Sequence, residues 1–149
     1  MKIHLVINEE LETTEVHIHA KHYTTEIEQL LRKLQQDQSP TILDGYIQQE
    51  IHMVKIDDIY SVYAEGAKVY LQTEEQEYET KRKLYELEEL LAKDFVRVNK
   101  STLVHINKIV SIQQKLGAAQ LLLDNEVTIH ISRKYMKQLK NQLGIGRDS

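Results

Sequence analysis

Cysteine is absent from this 149-residue chain. That removes disulfides, thiolate zinc sites and cysteine nucleophiles together. No run of 18 apolar residues occurs, so no stretch reads as a membrane-spanning helix. The opening MKIHLVINEELE turns acidic before a signal-peptide core could form, which points to a cytoplasmic protein. A glycine loop able to cradle phosphate is also missing, since the GIG at 144–146 lies in a terminal tail and lacks the dinucleotide-binding pattern. Carboxylates fall on helix faces and loops, and no nucleophile motif surrounds Ser101, Ser111 or Ser132. Neither an enzyme nor a cofactor is expected from this pattern.

Charge of one sign does not dominate either. The net charge is −4, but it is unevenly distributed. Residues 1–45 carry a balance of −4, residues 46–93 one of −5, and residues 94–149 one of +5. Binding surfaces need local rather than total charge, so the last third is where an anionic partner would be sought.

What is present is 41% hydrophobic residue content in short, patterned runs. KIHLVI (2–7) and EVHIHA (15–20) alternate as strands do, across a Glu-rich link. TTEIEQLLRKLQQ reads as a helix, with Thr25 and Glu28 spaced as a capping box and Ile27, Leu30, Leu31 and Leu34 in one stripe. The only proline, Pro40, and then Gly45 mark residues 37–45 as a linker. This predicts a small β-β-α unit over 1–45 and a second domain over 46–149. In the second domain YIQQEIHMVKI, IYSVYAE, KVYLQT, QEYET, FVRV, TLVHI, KIVSIQQ, AAQLLLD and VTIHI read as strands. Turns are expected at Gly66, KLG and DNE, and one helix at KLYELEELLAK, with Leu84, Leu87, Leu90 and Leu91 inward.

The final helix, within ISRKYMKQLKNQLG (131–144), has an odd start. Ser132 is a suitable N-cap, Met136, Leu139 and Leu143 share a face, and Gly144 is a natural stop. Yet Arg133 and Lys134 occupy the first turn, where the helix dipole disfavours cations by about 0.3–1 kcal/mol. An external anion at that terminus would reverse the penalty. Lys137 and Lys140 continue the positive face. In DFVRVNKSTLVHINKI (94–109), Arg97, Asn99, Lys100 and Ser101 cluster at a strand end and the loop after it. These side-chain types donate to base edges and phosphates. The histidines His4, His17, His19 and His22 offer a different reading, because imidazoles grouped on strand faces can bind zinc or nickel. Such histidines are more often polar residues on the solvated face of a half-buried strand or part of a dimer surface, and no metal site is assigned.

Three pieces, VKIDDIYSVYAEGAKVYLQT, LYELEELLAKDFVRVNKSTLVHINKI and VTIHISRKYMKQLKNQL, stand in the order found in LytTR DNA-binding domains. From about His52 to Leu143 the chain resembles that family, whose central pattern is close to FxRxHxSxxVNxxxI. The resemblance implies a mainly β, overall α+β fold of short antiparallel sheets and short helices that reads double-stranded DNA with loops in successive major grooves. Carried over by position, Lys100 and Arg133 are base-reading candidates, and the turn of Gly66, Ala67 and Lys68 is a third contact loop. Arg97, Asn99, Ser101, Asn107, Lys108, Ser132, Lys134 and Lys137 become phosphate or positioning candidates.

Two residues depart from the pattern: Asn99 stands where the family often has His, and His105 where it commonly has Asn. Only about 45 residues precede the resemblance, too few for a phosphorylatable receiver. The resemblance therefore implies a stand-alone regulator, expected to be a homodimer through residues 1–45. Short members of the family are often held inactive by small membrane proteins, which adds a second kind of partner. Two other functions fit the residues: a protein-interaction or anti-activator module that kept the fold, and a metal-responsive sensor using the N-terminal histidines.

Overall fold

The computed structural model describes residues 1–35 and 40–146. The chain divides into two compact units, Met1–Asp37 and Gln38–Ser149.

Among the described residues of the first unit one element forms, helix α1 (Thr25–Gln35). The two expected strands do not. Residues 2–7 and 15–20 flank a turn in which the Leu11 amide donates to the Asn8 carbonyl at 3.3 Å, but no ladder joins them. A two-stranded ribbon is marginal in water without a third strand or a covering helix. Ile3, Leu5, Val6 and Ile7 are all more than four-fifths exposed. The helix cap also sits one residue early: the Ile27 amide donates to Thr24 Oγ1 at 3.4 Å, and Glu28 instead accepts from Arg32 at 3.1 Å. Thr25 and Glu28 therefore form no capping box. The apolar stripe of α1 contains no fully buried residue.

The second unit begins earlier than the sequence suggests. Of the expected linker, residues 37–39 lie outside the described residues. The remainder runs directly into strand β1 (Ile42–Ile47), so the expected boundary after residue 45 cuts a strand. Gly45 is not a turn residue. A Cβ there would lie 2.7 Å from Tyr78 Cβ and 2.9 Å from Val54 Cγ2, so glycine permits close approach inside the sheet. YIQQEIHMVKI is likewise not one strand. It turns at Gln48, with φ of 55°, and returns as β2 (Glu50–Lys55). No Gly, Pro or Asn marks that turn, which is why periodicity alone misses it.

The remaining elements are β3 (Ile59–Glu65), β4 (Lys68–Thr73), β5 (Glu77–Thr80), helix α2 (Leu84–Leu90), β6 (Phe95–Asn99), β7 (Thr102–His105), β8 (Ile109–Lys115), β9 (Ala118–Leu123), β10 (Thr128–Ile131) and helix α3 (Arg133–Leu143). A seven-stranded sheet has the order β2-β1-β5-β4-β3-β7-β6, and a three-stranded sheet the order β10-β9-β8. All the pairings are antiparallel.

Strand alternation sorts the side chains into two cores. Phe95, Leu103, Val62 and Leu71 pack with Leu84, Leu87 and Leu91 of the α2 region. Val96, Val98 and Val104 pack with Leu121, Leu123 and Ile131 of the smaller sheet and with Leu139 of α3. β7 is consequently buried along its whole length. That explains a near-continuous apolar run in an antiparallel sheet, where one wet face is more usual. Met136 and Leu143 join the second core, and Gly144 stops α3 in the left-handed conformation, with φ of 73°.

Candidate nucleic-acid interface

Lys100 lies at the tip of the β6–β7 turn, and several hydrogen bonds shape that turn. Arg97 Nε donates to the Asn99 carbonyl at 2.8 Å, its Nη2 donates to the Lys100 carbonyl, and its Nη1 donates to Glu88 of α2. Asn99 Oδ1 accepts from the Ser101 amide at 2.9 Å and from the Ser101 hydroxyl at 3.2 Å. The Ala64 amide donates to the Ser101 carbonyl at 2.8 Å. Backbone carbonyls and small side chains are thus used inside the turn, while the Lys100 side chain is exposed. Arg97, a phosphate or positioning candidate from sequence, has its guanidinium held by two carbonyls of the turn and by Glu88.

Two further bonds join this turn to the start of α3. Asn99 Nδ2 donates to the His130 carbonyl at 2.9 Å, and the Ser132 amide donates to the Val98 carbonyl at 3.0 Å. Tyr135 adds a third link, with the Arg97 guanidinium and the Lys134 ammonium each 5.6 Å from its ring centre. The Ser132 hydroxyl makes no capping bond, contrary to its expected role, although its backbone holds the N-cap position with φ of −80° and ψ of 150°. Arg133 and Lys134 are exposed beside it. The helix start therefore carries two exposed cations, while the Ser132 amide is taken by Val98 and the Tyr135 amide donates to the Ser132 carbonyl at 3.1 Å.

The third turn lies at the same end of the sheet. β3 pairs with β7 through Tyr63 and Thr102, so the end of β3 meets the start of β7. Glu65 pairs with Lys68 across Gly66, whose φ of 61° suits a tight turn. Lys68, Lys100, Arg133 and Lys134 are thereby brought to one end of the unit, with Lys137 exposed one turn further along α3. Asn107 and Lys108 are not brought there. They follow β7 at its far end, and the Lys108 ammonium lies 4.8 Å from the Tyr60 ring centre.

His105 is 2% exposed and stacks on Phe95 at 4.7 Å with 9° between the rings. Neither ring nitrogen makes a well-formed hydrogen bond. Burial lowers its pKa, with Lys108 acting in the same sense and Asp94, Asp57 and the Ile59 carbonyl opposing. It is a core residue, with no place at the surface of the turns.

Among the described residues no group of three His, Asp or Glu converges as a metal site. His17 Nε2 is instead 3.1 Å from Glu15 Oε2, and without a ladder His4 is not aligned opposite His17 or His19. No helix among the described residues is long and apolar enough to cross a membrane. Sequence reading missed Glu88, Tyr135 and the Lys81–Lys83 triplet. The triplet was visible as a cationic run within an acidic segment, whereas the first two became legible only from tertiary contacts.

Residues 49–144 match the model of the LytTr DNA-binding domain. The chain is 30% identical to uncharacterized HTH-type transcriptional regulators of Staphylococcus aureus strains MSSA476 and COL, over 97% of this chain and 99% of each relative. A solved LytTr DNA-binding domain from Bacillus cereus superposes with a TM-score of 0.67 at 24% identity, covering 71% of this chain and 99% of the other. No two helices of the present chain are consecutive among the described elements, so these elements include no helix-turn-helix. The match over residues 49–144 spans well over half of the chain, which therefore belongs to the LytTR DNA-binding domain family.

Proposed function

We propose that this protein is a bacterial transcriptional regulator that reads double-stranded DNA in the major groove through the three turns described above. The observation that carries this reading is the fastening of the Lys100 turn to the Arg133 helix start, through Asn99 to His130 and Ser132 to Val98. Lys100, Arg133 and Lys68 are the base-reading side chains. Ser101, Ser132, Lys134 and Lys137 contact phosphates, while Arg97 and Asn99 set the shape of the turn. DNA binding places the protein in the cytoplasm.

The first unit, Met1–Asp37, serves as the regulatory and dimerising part in this reading. Its support is the exposure of Ile3, Leu5 and Ile7 on an arm whose backbone has no ladder partner among the described residues. A second copy supplies both strand edges and apolar surface, and linking two domains raises the effective concentration at paired DNA sites. Light scattering should give the mass of a dimer, and Leu5→Ser with Ile7→Ser should shift it toward the monomer. A monomeric wild type that captures an inhibitory membrane protein would favour the alternative occupant.

The functional test is selection from a random DNA library, followed by mobility shift against random competitor at two salt concentrations. Wild type should yield a motif and a competition-resistant complex. Arg133→Ala should narrow the gap between specific and random DNA by about 1–3 kcal/mol. Failure to recover any motif would remove the regulator reading.

A further inference from the structure

The Lys81–Arg82–Lys83 triplet is absorbed by none of the roles above. In sequence it belongs to the most acidic third of the chain, with a balance of −5 over residues 46–93. The fold separates the signs. β4 and β5 form a hairpin whose turn holds Glu74 and Glu75, with Glu77 just after it, at one end of the sheet. The other end of the same hairpin is cationic, because Val69 pairs with Thr80 and so sets Lys81, leaving β5, beside Lys68, entering β4.

The bend carrying the triplet is pinned at both ends. Thr80 and Leu84 are buried, 5% and 9% exposed, and the Arg82 amide donates to Thr80 Oγ1 at 3.3 Å. The Lys81 ammonium sits 4.5 Å from the Tyr46 ring centre, a cation–π contact that restrains a flexible side chain. Lys81, Arg82 and Lys83 are exposed, and among the described residues none of them, nor Lys68, is in an ion pair. Several like charges held on one short bend repel one another unless an anion is present.

Position defines that anion. In the sheet order β5-β4-β3-β7-β6 the Lys100 turn joins β7 and β6, three to four inter-strand steps from the triplet, about 14–19 Å at roughly 4.8 Å per step. The Gly66 turn lies between them, and α3 packs against β6, the strand at the far end of that order. Resting on the DNA-binding reading, we propose that Lys81, Arg82 and Lys83 clamp the phosphate backbone of DNA flanking the base-reading turns, on the side remote from α3. This lengthens the footprint and strengthens binding without adding sequence preference.

The full-length protein, bound to its selected DNA motif, tests this. Binding is measured at several salt concentrations for wild type, Arg82→Gln, the triple change to Gln, and Arg133→Ala. The triple variant should flatten the slope of log affinity against log salt by about 0.9 for each phosphate no longer neutralised, and Arg82→Gln by about one such step. Its hydroxyl-radical footprint should shorten at one edge, while its preference for specific over random DNA stays within about threefold of wild type, as for phosphate contacts. Arg133→Ala should show the reverse pattern. If wild type binds its motif and both Gln variants keep slope and footprint, the clamp is refuted alone. If wild type binds no DNA, the underlying reading falls with it. Thermal melting should show both Gln variants folded cooperatively, and for Arg82→Gln close to wild type, because its side chain is exposed.

Discussion

KIHLVI at residues 2–7 and TLVHI at 102–106 are similar strings, each apolar with one histidine. Their fates differ completely. Ile3 and Leu5 are 85% and 86% exposed, whereas Leu103 and Val104 are fully buried and His105 nearly so. Neither string is the better strand former by composition. The second has β3 and β6 on its edges, α2 on one face and the smaller sheet with α3 on the other. The first has no ladder partner among the described residues. A strand-like pattern states what a segment can do when it is paired and covered, and only neighbours turn that capacity into structure.

The comparison can be broken most forcefully by truncating the same residue type on both sides. Leu103→Ala should cost about 2–5 kcal/mol of unfolding free energy, read from urea titration, because both transfer and cavity effects apply. Leu5→Ala should stay within about 0.5 kcal/mol in a dilute monomeric sample, its effect appearing only in self-association. Equal losses would show that the arm is covered in solution.

A gentler test crosses from the exposed arm to the first strand of the sheet. Gly45→Ala should lose about 1–3 kcal/mol, since the new methyl meets Tyr78 and Val54 backed by a packed core. A wild-type urea midpoint would show that β1 tolerates the space a side chain needs.

Arg97→Lys probes the link between core and surface. It keeps the charge but loses the fork that donates to two carbonyls and Glu88. Specific DNA affinity should fall by about tenfold while random-DNA affinity changes little, because the turn loses shape rather than charge. An equal loss on both DNAs would instead make Arg97 a phosphate contact.

The smallest effect concerns pH. Burial lowers the pKa of His105, so the unfolded chain takes up this proton first as pH falls. The neutral-His contribution is complete above the unfolded value of about 6.5 and is lost progressively below it. The urea midpoint should therefore decline below about pH 6.5, and His105→Asn should make that decline shallower. An unchanged decline in the variant would assign it to other groups.

Much of this molecule was readable in advance, for physical reasons that are local. The leucine spacing of α2, the αL stop at Gly144 and the turn at Gly66 follow from side-chain period and backbone freedom a few residues wide. The failures are equally instructive. The Gln48 turn has no residue of the usual turn chemistry, Gly45 is a contact requirement rather than a punctuation mark, and Thr24 takes the cap that Thr25 seemed suited to. In the site, Lys100 and Arg133 were legible as exposed cations at element ends. The roles of Arg97 and Asn99 were not, because their partners lie on other elements.

The sequence by itself determined the kinds of elements, their order and the family motif, since helix period, strand alternation and caps depend on near neighbours. Tertiary structure alone decided which strands found partners and which cations share a surface. Inter-strand register joins Val69 to Thr80 and Tyr63 to Thr102, and so gathers charges from an acidic segment and a basic one at a single end of the sheet. That register depends on contacts distant along the chain, and the charge pattern it creates is visible only in space.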